Sequence, residues 1–127
     1  MDETHKQRID FLCSETLPYA SGAEVINDLT GEGFIKGSEL HGRADLQTAF
    51  DPDRGFFVQP IFLIRDRSTG ELTEYLRDDA NPDRRPSVYA VEMSRRYPDG
   101  DTDSETVCYT RSRKQAEKYA RNLSASL

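Results

Sequence analysis

Residues 56–77 constrain the fold most, because they contain the densest apolar run of the chain. Alternate residues of an extended strand point to opposite faces, and both faces are apolar around the middle of this run. Pro60 offers no N–H to a β-ladder, which confines it to a strand edge or a bulge. Residues 68–70 then supply turn chemistry, with Gly70 able to adopt a positive φ. The stretch predicts a β-hairpin, which is marginally stable alone and needs other elements to cover it.

Further elements are predicted on both sides of this hairpin. Capping-box patterns at Thr4, Ser21 and Ser112 predict a helix over residues 4–16, a second short helix and a C-terminal helix. A glycine-rich connector, residues 31–42, and a third short helix over residues 44–50 are expected before the hairpin. Strand-like runs at residues 88–93 and 105–110, joined by a loop over residues 97–104, predict a second hairpin.

These elements predict one α+β domain spanning residues 1–127. Its antiparallel sheet has about four strands from two hairpins, with helices at the N-terminus and the C-terminal helix packed on the sheet. A length of 127 residues fits one domain with a real core. No apolar run is long enough to cross a membrane and no signal-peptide pattern opens the chain, so we expect a cytoplasmic location and no membrane partner. Cys13 and Cys108 form no CxxC pair and are expected to be reduced thiols.

The sequence carries no catalytic signature. It has no nucleophile elbow, no HExxH pattern and no cysteine cluster, and the glycine spacing of residues 31–42 matches no phosphate-binding fingerprint. We therefore expect a protein that is not an enzyme, with no catalytic residue, no metal and no cofactor. A small enzyme with an unrecognised site is an alternative, and loss of an activity in a His41→Ala variant would be its first sign.

The sharpest local pattern is an alternation of acids over residues 99–105. Hard cations such as calcium require oxygen ligands at this kind of spacing. The pattern lacks the mid-loop glycine and the twelfth-position glutamate of an EF-hand, and Asp, Gly and Ser are also ordinary turn residues. The segment is therefore interpreted as an acidic hairpin loop. Its acids are Asp99, Asp101, Asp103 and Glu105.

Charge is unevenly distributed along the chain. The formal net charge is -6, yet residues 106–127 hold five basic side chains against one acidic. An acidic surface steers a protein toward a basic partner and sets the association rate. We therefore predict a non-catalytic protein-binding module that acts on a basic or nucleic-acid-binding protein. Its partner-binding residues would be the acids of residues 99–105 together with Asp78 and Asp79.

Size and charge together suggest a biological role by analogy. Small acidic α+β proteins include nuclease inhibitors, toxin-immunity proteins and phage-encoded inhibitors of host defence, so an inhibitor or immunity-type protein is predicted. The alternative is a regulator that binds nucleic acid through the C-terminal helix. That helix carries Arg113, Lys114, Lys118 and Arg121. A sequence pI of about 4.9 opposes association with a polyanion. The pattern predicts no particular oligomeric state.

Overall fold

The computed structural model describes residues 4–30, 49–97 and 99–127. It contains three helices and five strands in these parts of the chain. The helices are α1 (Thr4–Leu12), α2 (Gly22–Thr30) and α3 (Arg113–Ala125). The strands are β1 (Ala49–Phe50), β2 (Phe56–Arg65), β3 (Leu72–Tyr75), β4 (Val88–Arg96) and β5 (Thr102–Thr110). The protein is a small α+β domain, as predicted.

All strand pairs are antiparallel, and the sheet is built from two hairpins. Four main strands lie in the order β3–β2–β4–β5. The two residues of β1 pair with the end of β4, on the edge that β2 also occupies. The phenolic oxygen of Tyr109 on β5 donates a hydrogen bond to Glu74 on β3 at 3.2 Å. Because these residues belong to the two outer strands, the sheet is strongly curled.

Pro60 lies inside β2, between the two halves of the strand. The first half pairs with β4 and the second half pairs with β3. The carbonyl of Ile61 accepts a hydrogen bond from Ser87 N–H at 2.8 Å, so Ile61 directs its peptide groups toward the β4 edge. Pro60 therefore directs its nitrogen toward the opposite edge, at a point that β3 does not reach. The missing N–H costs no ladder bond there, which explains a proline in the middle of a strand.

The helices cover both faces of the curled sheet. Helix α1 packs Ile9 against Ile61, Leu63, Val88 and Ala90 on the concave face. Helices α2 and α3 pack on the other face, where they form the larger core. Its fully enclosed side chains include Val25, Ile26, Val91, Met93 and Leu123. Burial of such apolar area stabilises the fold by roughly 25 cal/mol per Å², so the sheet is fixed by apolar contacts on both sides.

Local signals in the sequence explain several element ends. Ser112 caps α3 by accepting from Gln115 N–H, and Ser21 accepts from Glu24 N–H at 3.2 Å. In the β2–β3 turn, Gly70 has φ 76° and Asp66 accepts hydrogen bonds from Ser68. The β2–β3 turn and the C-terminal helix were therefore predicted for the right physical reasons.

The structure corrects three predicted boundaries. Helix α1 ends at Leu12 rather than at residue 16. Residues 49–50, predicted as the end of a third helix, form β1, and residues 44–48 lie outside the described residues, as does the connector 31–42. Strand β5 begins at Thr102 rather than at residue 105, because pairing with β4 extends to Arg96. Asp103 therefore lies in a strand rather than in a loop.

Candidate interaction surface

The predicted acids of residues 99–105 lie in the turn of the β4–β5 hairpin and at the start of β5. Asp99 and Asp101 lie in the exposed turn, where Gly100 has φ 94° and Asp99 accepts from Asp101 N–H at 2.9 Å. Asp103 and Glu105 follow on β5 with their side chains on the same face as Met93, because they lie opposite Arg95 and Met93. The structure thus places these four acids in the hairpin turn and at the start of one edge strand.

Arg95 neutralises part of this charge. Its guanidinium contacts both oxygens of Asp103, at 2.8 and 2.9 Å, and donates to Glu105 at 2.8 Å. Tyr97 donates to Asp103 at 2.6 Å. Burial alone would raise the pKa of Asp103, but the bonds from Arg95 and Tyr97 outweigh it and lower that pKa. Asp103 is therefore a fixed carboxylate in an ordered network, with Asp99 and Asp101 exposed beside it.

Helix α2 adds two acids that the sequence analysis did not identify. Tyr19 donates a hydrogen bond to Asp28 at 2.6 Å. That bond, together with burial and the charges of Asp28, Glu24 and Glu105, raises the pKa of Tyr19 to about 12. The charges of these three carboxylates therefore act on one tyrosine, although they come from α2 and β5. We call the combined surface the acidic strip: Glu24, Asp28, Asp99, Asp101, Asp103 and Glu105.

Asp78 and Asp79 lie at the other end of the sheet. Residues 76–87 precede β4, whereas the hairpin turn follows it, and nine strand residues separate the two ends by roughly 26 Å. The Asp78 side chain is only 9% exposed and pairs with Arg84 at 3.4 Å, while the Asp79 side chain is 79% exposed and pairs with Arg77. Residues 77–85 hold three acids and three arginines. This end of the molecule is therefore locally neutral.

The predicted basic residues line the outer surface of α3. Arg113 pairs with Glu117 at 3.3 Å. Lys114, Lys118 and Arg121 are exposed and form no ion pair with any residue that the structure describes. Their spacing of four and three residues places them on one side of the helix. We call these three side chains, Lys114, Lys118 and Arg121, the basic stripe. Arg113 does not belong to it, because Glu117 compensates its charge.

A groove runs between the end of α1 and the outer edge of β5. It has a volume of about 540 Å³ and is lined by residues 11–14, Pro18 and residues 106–109. Phe11 is 87% exposed at its wall, although it belongs to a helix with a buried face. The thiols of Cys13 and Cys108 line it as well. Burial raises the pKa of Cys108 to about 12, which leaves that thiol unreactive.

Glu92 is a buried acid on the concave face of β4. Its carboxylate accepts from the Ser104 hydroxyl at 3.0 Å, and the second oxygen has no hydrogen-bond partner among the described residues. The pKa of Glu92 is raised, chiefly by burial and also by the charges of Glu74 and Glu105. Hydrogen bonds from Thr106 and Ser104 act in the opposite direction but do not outweigh burial. The sequence pattern gave no sign of this residue, since it alternates with apolar neighbours as any surface acid would.

Within residues 4–30, 49–97 and 99–127, no group of three or more His, Cys, Asp or Glu side chains is arranged to hold a metal ion. His41 lies outside the described residues, as does the side chain of His5. None of the helices in the described parts of the chain is long and apolar enough to cross a membrane.

Comparisons with protein-family models, curated proteins and solved structures give no match for this chain.

Proposed function

We propose that this protein is a non-catalytic binding module that inhibits or neutralises a basic partner protein through the acidic strip. The observation that carries the proposal is the set of acids in the β4–β5 turn and at the start of β5, where Asp103 and Glu105 share the guanidinium of Arg95 and Asp99 and Asp101 stay exposed. Complementary charge accelerates encounter and suppresses wrong partners, which suits a protein that must occupy a basic, nucleic-acid-binding or substrate-binding surface of its target.

The ion pairs that Arg95 forms with two acids of the strip support this function. Arg95 holds Asp103 and Glu105 in one arrangement through three short hydrogen bonds. A rigid charged surface loses little side-chain entropy when a partner arrives. Asp99 and Asp101 remain exposed at the hairpin tip, where they extend the negative field outward. The strip therefore combines an ordered centre with an exposed end, whereas the charges in the region around Asp78 balance locally.

The proposal predicts that charge reversal at the hairpin tip removes a salt-sensitive partner. Wild-type protein, Asp101→Lys and the matched control Asp79→Lys would each be immobilised and exposed to nuclease-treated lysate of the source cell at low and high salt. Both positions are exposed aspartates near a turn, so the substitutions differ mainly in location. We expect a basic protein that is retained by wild type and by Asp79→Lys but depleted on Asp101→Lys.

Kinetics with the purified retained protein would refine this result. Loss of long-range attraction should lower the association rate by on the order of tenfold and leave the dissociation rate nearly unchanged. Equal retention by all three chains would show that the acidic strip is not the binding surface. Retention of no protein at either salt concentration would refute the proposed function itself.

One observation favours a second function. The basic stripe of Lys114, Lys118 and Arg121 has no acidic partner among the described residues, in contrast to the ion-paired Arg111 and Arg113. Such a stripe is suited to phosphate oxygens, and its alternative role would be as a nucleic-acid-binding regulator.

A further inference from the structure

Strand β5 forms an edge of the sheet whose outer side is largely unpaired by the residues that the structure describes. Its described pairing on that side is a single bridge, in which Ser14 N–H donates to the Tyr109 carbonyl at 2.9 Å. Ser94 on β4 exchanges backbone hydrogen bonds with Asp51 and Gly55, on the side away from β5. Its neighbours on β4, Met93 and Arg95, therefore direct their peptide groups toward β5.

The same alternation fixes the direction of the β5 peptide groups. Glu105 and Asp103 lie opposite Met93 and Arg95, so their N–H and C=O groups point back to β4. The peptide groups between and beside them point outward, to the open edge. They belong to Thr102, Ser104 and Thr106. No described residue donates to or accepts from these outward backbone groups.

An open edge of this kind is a template for another strand. The outer edge of β3, at the other side of the sheet, offers four residues, whereas β5 has nine. The open part of β5 also ends at the groove, where Val107 is the extra residue of a bulge opposite β4. Main-chain bonds along residues 102–106 would thus lead an added strand directly into the groove beside Phe11, whose lining includes the apolar side chains of Leu12, Pro18 and Val107.

We propose that an extended basic segment of the partner protein adds to β5 as a further strand and places an apolar side chain in the groove. This inference rests on the proposed function and specifies how the same surface binds. Charge identifies the occupant: the side chains of Asp103 and Glu105 lie on the strand that forms the open edge, and Asp99 and Asp101 are exposed in the turn that precedes it. Lysine or arginine at alternate positions of the added strand would face these carboxylates.

A second copy of this chain is a poorer occupant of the same edge. Antiparallel pairing of two β5 strands about Ser104 would place Asp103 of each chain opposite Glu105 of the other. Like charges directly opposite one another destabilise a strand pair. The bulge at Val107 and the bridge at Tyr109 also limit the open stretch, so self-pairing could not lengthen to compensate.

The test uses a short synthetic peptide in which lysine alternates with threonine and which ends in leucine. Two further versions carry N-methyl groups on alternate backbone nitrogens, in the two possible registers. An added strand uses only one of its edges, so methylation in one register should abolish binding to the full chain while the other register retains it. Amide exchange at Ser104 and Thr106 should slow about tenfold when about nine-tenths of the protein is bound.

The groove is tested with Phe11→Ser and the matched control Leu76→Ser, both at exposed apolar positions. Loss of the Phe11 wall should weaken peptide binding roughly tenfold, and the control should bind as wild type does. Equal binding of both methylated peptides, without amide protection, would overturn strand addition and leave the acidic-strip function standing. No binding of any peptide would also overturn the inference. Failure of the proposed function is detected separately, by absence of any retained protein from lysate.

Discussion

Glu92 shows how one buried side chain makes stability depend on pH. The residue is 5% exposed, and its pKa is raised chiefly by burial. A carboxyl whose pKa is higher in the folded state holds its proton there more tightly than in the unfolded chain. Its contribution to stability is therefore fully present below the unfolded pKa and is lost as the pH rises through the folded pKa.

The first residue-scale prediction follows from this sign. A Glu92→Gln variant keeps the shape of the protonated side chain and cannot ionise. We expect its free energy of unfolding to exceed that of wild type by an amount that grows as the pH rises from about 4 to 8. Urea unfolding at several pH values measures this difference. Parallel pH profiles of the two proteins would show that the pKa of Glu92 is the same in the folded and the unfolded state.

At the scale of single elements, the start of α3 depends on one hydroxyl. Ser112 accepts from Gln115 N–H at 3.3 Å, which satisfies an otherwise unbonded donor of the first helical turn. Ser112→Ala should reduce the free energy of unfolding by about 1 kcal/mol. Ser124→Ala, at an exposed position near the end of the same helix, should change it by less than about 0.5 kcal/mol. Chemical denaturation of both variants checks the prediction, and equal effects would contradict it.

Elements with a local cause could be predicted from the sequence. The β2–β3 turn follows from Asp66 and Gly70, and α3 follows from its cap and its apolar spacing. The length of β5 could not be predicted, because Asp103 and Ser104 are turn-forming residues that become a strand only by pairing with β4. The place of Pro60 within a strand was likewise not predictable, because it depends on where β3 stops pairing with β2.

The acidic strip was only half predictable for the same reason. Its β5 members are close in sequence, and their alternation could be recognised directly. Glu24 and Asp28 join them because the chain passes from α1 on one face, around the edge of β5 at Cys13, to α2 on the other face. No local pattern encodes that path. Asp78, whose role in partner binding stays a prediction, pairs with Arg84 at the opposite end of β4.

At the scale of the whole molecule, opposite charges occupy different elements. The acidic strip follows β5 and α2, and the basic stripe of Lys114, Lys118 and Arg121 follows the exposed side of α3. The net charge of -6 sets the long-range field. A polyanion approaching α3 is therefore repelled by the rest of the protein before it reaches three cations. A basic protein experiences attraction over the same distance.

The last prediction follows from this balance of charge. It concerns the binding of labelled duplex DNA and single-stranded RNA, measured by fluorescence anisotropy. We expect wild-type protein to bind neither more tightly than about 10⁻⁴ M at physiological salt, because three phosphate contacts are few and the field opposes them. A triple variant, Lys114→Ala, Lys118→Ala and Arg121→Ala, should then behave as wild type does. The opposite pattern would be micromolar binding that weakens with salt, disappears in the triple variant and survives in the ion-paired control Arg113→Ala. That pattern would move the function from the acidic strip to the basic stripe, because only direct phosphate contact by those three side chains could produce it.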